Sequence, residues 1–203
     1  MKIYLYLLLN VIFVSVSVLP QSNPQTTSAT NGTLPTGNLT GTAQPGNLTG
    51  TAQPGNLTGT AQPDNLTGTA QPGNLTGTAQ PGNLTGTAQP DNLIGTTSDD
   101  IIFGGAGFDN ITGNQGNDEI DGGVGGDSIM GQIGNDLIFG GIGNDNISGG
   151  EGNDDLYGGP GADFLDGGIG ADYFDCGTSS DTISSVNISE GDIAMANCEK
   201  MER

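Results

Sequence analysis

Residues 104–175 read GGAGFDNIT GNQGNDEID GGVGGDSIM GQIGNDLIF GGIGNDNIS GGEGNDDLY GGPGADFLD GGIGADYFD, eight nine-residue units without a slip. A fixed internal period redefines a fold before any local propensity does. Each unit opens on glycine. Its fourth residue is again glycine: Gly107, Gly116, Gly125, Gly134, Gly143, Gly152, Gly161 and Gly170. Its sixth is aspartate: Asp109, Asp118, Asp127, Asp136, Asp145, Asp154, Asp163 and Asp172. Its eighth is apolar, from Ile111 through Leu165 to Phe174. The phase extends outward on both sides. Stepping back by nine from Gly104 reaches Gly95, Gly86 and finally Gly32, and stepping forward reaches Cys176, so 17 nonapeptides span residues 32–184. Upstream the unit is GTAQP(G/D)NLT, with leucine in the eighth place from Leu39 to Leu93. There the sixth place is aspartate only at Asp64 and Asp91, before Asp100 opens the acidic series that closes at Asp181.

The units GGAGFDNIT, GGIGNDNIS and GGEGNDDLY resemble the RTX (repeats-in-toxin) nonapeptide of hemolysin-type calcium-binding regions. The resemblance covers residues 95–184 well, and 32–94 only in frame. It implies an all-β chain folded as a parallel β-roll, a β-solenoid in which two nonapeptides complete one coil. A six-residue turn and a three-residue strand are expected per unit, with the glycines at positions one and four reaching positive φ and turning carbonyls inward. Aspartates 18 residues apart then stack in two ladders. Asp100, Asp118, Asp136, Asp154 and Asp172 form one, and Asp109, Asp127, Asp145, Asp163 and Asp181 the other. Coils about 4.8 Å apart bring like charges together unless a cation lies between them. The resemblance places one calcium between adjacent turns, hence up to about eight ions held by carboxylates and carbonyls. Outward acids such as Asp121, Asp155, Asp166 and Asp175 read as a solvated face.

Composition narrows the function in the same direction. The 203 residues include 38 glycines, 23 Asp plus Glu, three Lys plus Arg and no histidine, for a formal charge of −20. Without histidine there is no Ser-His-Asp or Cys-His nucleophile system and no usual zinc site. Lys2, Lys200 and Arg203 form no basic patch, which excludes a nucleic-acid binder that tracks phosphates. Paired carboxylates can hydrolyse glycosides, but acids stacked with metal between them and lacking an aromatic cleft do not suggest it. The chain is therefore expected not to be an enzyme.

The remaining segments complete the organisation. Residues 1–20 carry a mostly apolar run, Ile3 to Leu19, behind Lys2. It reads as a secretory signal, with an uncleaved membrane anchor as the alternative, so the mature chain is expected to be secreted or at the cell surface. Residues 21–94 are expected to be a Thr/Gly/Pro/Asn-rich flexible stalk with a root-mean-square extension of about 50 Å, the alternative being calcium-free coils. Asn31, Asn38, Asn47, Asn56, Asn65, Asn74 and Asn83 each open an N-glycosylation sequon. Cys176 and Cys198 are the only cysteines, and in an exported chain they read as a disulfide. It would pin residues 185–203 as a C-terminal cap over the last coil.

The leading reading is an extracellular calcium-binding repeat protein whose β-roll, residues 95–184, folds on calcium. The alternative is a calcium-stiffened adhesion or matrix protein that binds cells or a surface polysaccharide. The RTX resemblance also implies a catalytic domain ahead of the repeats and a C-terminal export signal. Neither is expected here, and a small stand-alone member is.

Overall fold

The computed structural model describes residues 83–198 continuously, the strand Lys200–Met201, and the backbone of seven short strands between residues 25 and 77. Nonapeptides 18 residues apart stack, so alternate strands pair in parallel and the described residues wind into two sheets of 11 and ten strands. No helix occurs among the described residues. The first sheet contains Asp91–Ile94, Asn110–Gln115, Ser128–Ile133, Asn146–Glu151, Phe164–Ile169 and Thr182–Ser184. The second contains Asn83–Thr85, Ile101–Ala106, Glu119–Val124, Leu137–Ile142, Asp155–Tyr157 and Tyr173–Asp175. The architecture is the parallel β-roll expected.

The eighth-position side chains fill the space between the sheets. Leu84, Leu93, Ile102, Ile111, Ile120, Ile129, Ile138, Ile147, Leu156, Leu165, Phe174 and Ile183 are all buried in one continuous column, joined by Cys176. Register follows from this period. Ile102 lies opposite Ile120 and Ile120 opposite Ile138, so a slip of one residue would turn the whole column outward. Each coil still supplies only two core side chains. A core this thin leaves chain entropy poorly offset.

Two local expectations need correction. Most distal strands are six residues long rather than three, as in Asn110–Gln115, and run into the first three residues of the next unit. Pairing skips one residue within each, passing from Phe103↔Asp121 to Gly105↔Gly123. The left-handed residue responsible sits at position two, not position one: Gly105 has φ 106°, Asn114 84° and Gln132 83°. Position four turns left-handed in all of the eight units but that of Gly161, as at Gly107 (143°) and Gly134 (147°).

The position-one glycine is required for another reason, close approach. A Cβ on Gly122 would lie 2.5 Å from the Gly140 carbonyl oxygen of the next coil and 2.7 Å from Asp127 Oδ2. Gly122→Ala is therefore expected to cost about 1–3 kcal/mol, the usual penalty for overpacking, whereas Asn146→Ala on the exposed face should stay within about 0.5 kcal/mol. Thermal melts in calcium would check this, and equal melting temperatures would refute the close-approach argument.

The boundary expected at residue 95 lies inside the described roll. Asn83–Thr85 pairs with Ile101–Phe103 and Asn92–Ile94 with Asn110–Thr112, and Leu84 and Leu93 are buried. Further upstream, Leu39–Ala43 pairs in parallel with Leu57–Ala61, and Leu48–Thr51 with Leu66–Thr69, at the same 18-residue offset. The rest of the expected stalk, the N-terminal segment 1–20 and the sequons at Asn31, Asn38, Asn47 and Asn56 lie outside the described residues. Of Asn65 and Asn74 only the backbone is described, whereas Asn83 sits half-buried on a strand.

Candidate metal centre: two aspartate ladders

Each sixth-position aspartate ends a tight turn immediately before a strand, so the two sheets place their aspartates on opposite edges of the roll. Asp109, Asp127, Asp145, Asp163 and Asp181 precede strands of the first sheet. Asp100, Asp118, Asp136, Asp154 and Asp172 precede strands of the second. All ten are buried. Both stacks predicted from the period are therefore present.

The stacking is made by a repeated hydrogen bond. The Asp109 amide donates to Asp127 Oδ1 and the Asp127 amide to Asp145 Oδ1, each at 2.8 Å. On the other edge the Asp118 amide donates to Asp136 Oδ1 and the Asp136 amide to Asp154 Oδ1, again at 2.8 Å. Each carboxylate thus spends one oxygen on the coil before it. In nine of the ten the second oxygen has no such partner. Oδ2 of Asp109, Asp118, Asp127, Asp136, Asp145, Asp154, Asp163, Asp172 and Asp181 is buried without a hydrogen bond. Leaving one buried polar atom unpaired costs roughly 1–3 kcal/mol, and a charged one more, so nine in register suit a positively charged partner.

Electrostatics say the same. Burial, opposed by the backbone hydrogen bond and reinforced by the neighbouring rung, pushes the carboxyl groups of Asp109, Asp127 and Asp163 up to about 6. It pushes Asp118 and Asp154 up to about 7. Asp136, Asp145 and Asp172 are raised as well, again chiefly by burial. No cationic side chain is at hand in the array, because residues 83–198 contain neither lysine nor arginine.

A hard cation fits these donors. Calcium accepts six to eight oxygens, carboxylate and carbonyl alike, in adaptable geometry. Among the described residues no three acidic or sulfur side chains converge on one point. An ion held by fewer than three such side chains would need backbone carbonyls to complete it, the role expected of Gly107, Gly116, Gly125, Gly134, Gly143, Gly152, Gly161 and Gly170 in the turns.

A model of the RTX calcium-binding nonapeptide repeat matches this stretch four times, over residues 85–120, 94–129, 121–156 and 148–183. Residues 85–183 are an RTX repeat array. The family implies Ca2+ as the bound ion. No curated protein gives a match, and no solved structure does.

Several members of the RTX array were not foreseen. Asp91 extends one ladder upstream, its amide donating to Asp109 Oδ1. Asp192 extends the other downstream, accepting from the Asp172 amide at 2.9 Å. The first was legible as an in-phase aspartate. The second is displaced by two residues, which hid it. The recurrent Gly-Asn-Asp turn carries a further ladder of opposite polarity: the Asn135 amide donates to Asn117 Oδ1 and the Asn153 amide to Asn135 Oδ1, at 2.8 Å. Asp166, expected to be solvated, has its Oδ1 buried and unpaired. Cys176 and Cys198 are joined, with Cα atoms 5.1 Å apart, and Asn197 adds a hydrogen bond to Asp175.

Proposed function

We propose that the chain is an extracellular, non-enzymatic calcium-binding repeat protein whose β-roll folds when calcium binds. The observation that carries this reading is the row of nine buried, unpaired carboxylate oxygens on two stacked ladders. An ion between rungs would neutralise them and fill the role a larger core plays elsewhere. Asp109, Asp127, Asp145, Asp163 and Asp181 would hold ions on one edge, and Asp118, Asp136, Asp154 and Asp172 on the other. Support for the location comes from the repeat family together with the apolar segment Ile3–Leu19. Absence of histidine supports the non-enzymatic reading.

Equilibrium dialysis at pH 7 is expected to find several calcium ions per chain, up to about eight. A chain that retains one ion or none would overturn the reading.

One observation favours the adhesion alternative. The outer face of the second sheet carries Phe139 stacked on Tyr157 at 4.9 Å and Tyr157 against Tyr173 at 5.8 Å, with Phe103 and Ile142 exposed on the same sheet. Calcium-dependent retention on cells or polysaccharide, lost on replacing Tyr157 by Ser, would support that role.

A further inference from the structure

The twelve ladder aspartates are not alike, and the difference tracks a residue four positions earlier. At Asp91 and Asp100 the second carboxylate oxygen is satisfied from within the turn. The Thr87 amide and hydroxyl donate to Asp91 Oδ2 at 2.7 and 2.8 Å. Those of Thr96 donate to Asp100 Oδ2 at 2.6 and 2.9 Å. In the nine units that follow, position two is Gly105, Asn114, Gly123, Gln132, Gly141, Gly150, Gly159, Gly168 and Gly177, all with φ between 83° and 123°. The aspartates of those same nine units, Asp109 through Asp181, are the nine whose Oδ2 has no partner. The correspondence is one to one.

Its cause is stereochemical. Threonine is β-branched and resists positive φ, so its amide faces the carboxylate of its own turn and its hydroxyl adds a second donor. A left-handed residue at that place turns the amide elsewhere and leaves the oxygen bare. At the far end of one ladder Asp192 is closed differently, its Oδ2 accepting from the Asn187 amide at 2.5 Å.

We infer that position two of each unit decides whether the aspartate four residues later takes calcium. The nine open aspartates are ion ligands. Asp91 and Asp100, clasped by threonine, and Asp192, clasped by the Asn187 amide, are calcium-independent ends on which the ion-filled coils stack. Asp100 therefore leaves the ligand set that its phase alone assigns to it. The only other sixth-position acid upstream, Asp64, also has threonine, Thr60, at position two of its unit.

This inference rests on the calcium-binding function proposed above and is tested on the full chain by counting calcium with native mass spectrometry. The D91N/D100N double variant is expected to bind as many ions as the wild type, and D127N/D136N fewer by at least one. A loss of ions in D91N/D100N equal to that in D127N/D136N would overturn the inference. If D91N/D100N does not fold, amide hydrogen exchange of the calcium-free wild type decides instead. Residues 87–100 should exchange at least tenfold more slowly than residues 107–163, and uniform exchange would overturn it. A wild type that binds no calcium at all would sink the proposed function, and is recognised before any variant is compared.

Discussion

Stripping calcium at pH 7 is expected to abolish most of the β-strand circular dichroism of the RTX array, that of the coils from residue 104 to residue 184, and returning millimolar calcium to restore it. The reason lies in what the metal-free roll must bear. Nine buried carboxylate oxygens lack partners, and rungs of one ladder repel across a single strand spacing. Against this stand two core side chains per coil, as between Ile129 and Ile138, and no lysine or arginine between residues 83 and 198. Binding free energy of the ions then becomes folding free energy. Magnesium at the same concentration should not substitute, because it demands compact octahedral geometry and keeps its water. An unchanged spectrum after calcium removal would show that backbone pairing alone holds the roll.

The second large effect is a reversal of pH dependence by calcium. For the metal-free protein, the folded carboxyl groups of Asp109, Asp127 and Asp163 titrate at about 6 and those of Asp118 and Asp154 at about 7, above the ordinary 3.8. Between those limits the folded state binds more protons than the unfolded one, so stability falls as pH rises. The metal-free roll should be most stable near pH 4 and lose stability progressively toward pH 7. With calcium the sign inverts, since protons and ions compete for the same oxygens and acid displaces the ion. Melting temperatures from pH 4 to 8, taken after exhaustive dialysis and again in excess calcium, should cross. A metal-free melting temperature that climbs with pH would contradict the assigned burial of the carboxylates.

Much of this was legible in the sequence because a nine-residue period leaves little freedom. Once Ile102, Ile120 and Ile138 must share one column, the parallel pairing, the 18-residue stack and both aspartate edges follow. The turn's inner conformation did not follow. Glycine at positions one, two and four is equally permissive in sequence, and only the structure separates the left-handed Gly105 from Gly104, which is glycine because the Gly122 carbonyl lies against it. Asp192 was hidden by a two-residue insertion that breaks phase after Ser184. The threonine clasp was hidden for another reason. Thr87 belongs to an upstream-type unit and Thr96 to one whose Asp100 the period alone assigns to a ladder, and their hydroxyls matter only once the Asp91 and Asp100 carboxylates are seen turned toward them. Leu84 and Leu93 belong by sequence to the upstream repeats, yet burial places them in the same column as the distal isoleucines.

The claim on which the account rests is that calcium is held by the bare oxygens of the interior rungs. Calcium counting on the wild type and on a D118N/D136N/D154N triple variant tests it most directly. Among the described residues these substitutions leave Asp172 as the one bare carboxylate on that edge of the roll, while Asp109, Asp127, Asp145, Asp163 and Asp181 remain on the other. The variant is expected to lose about half of the ions and keep the rest. A variant that binds the wild-type number would contradict it.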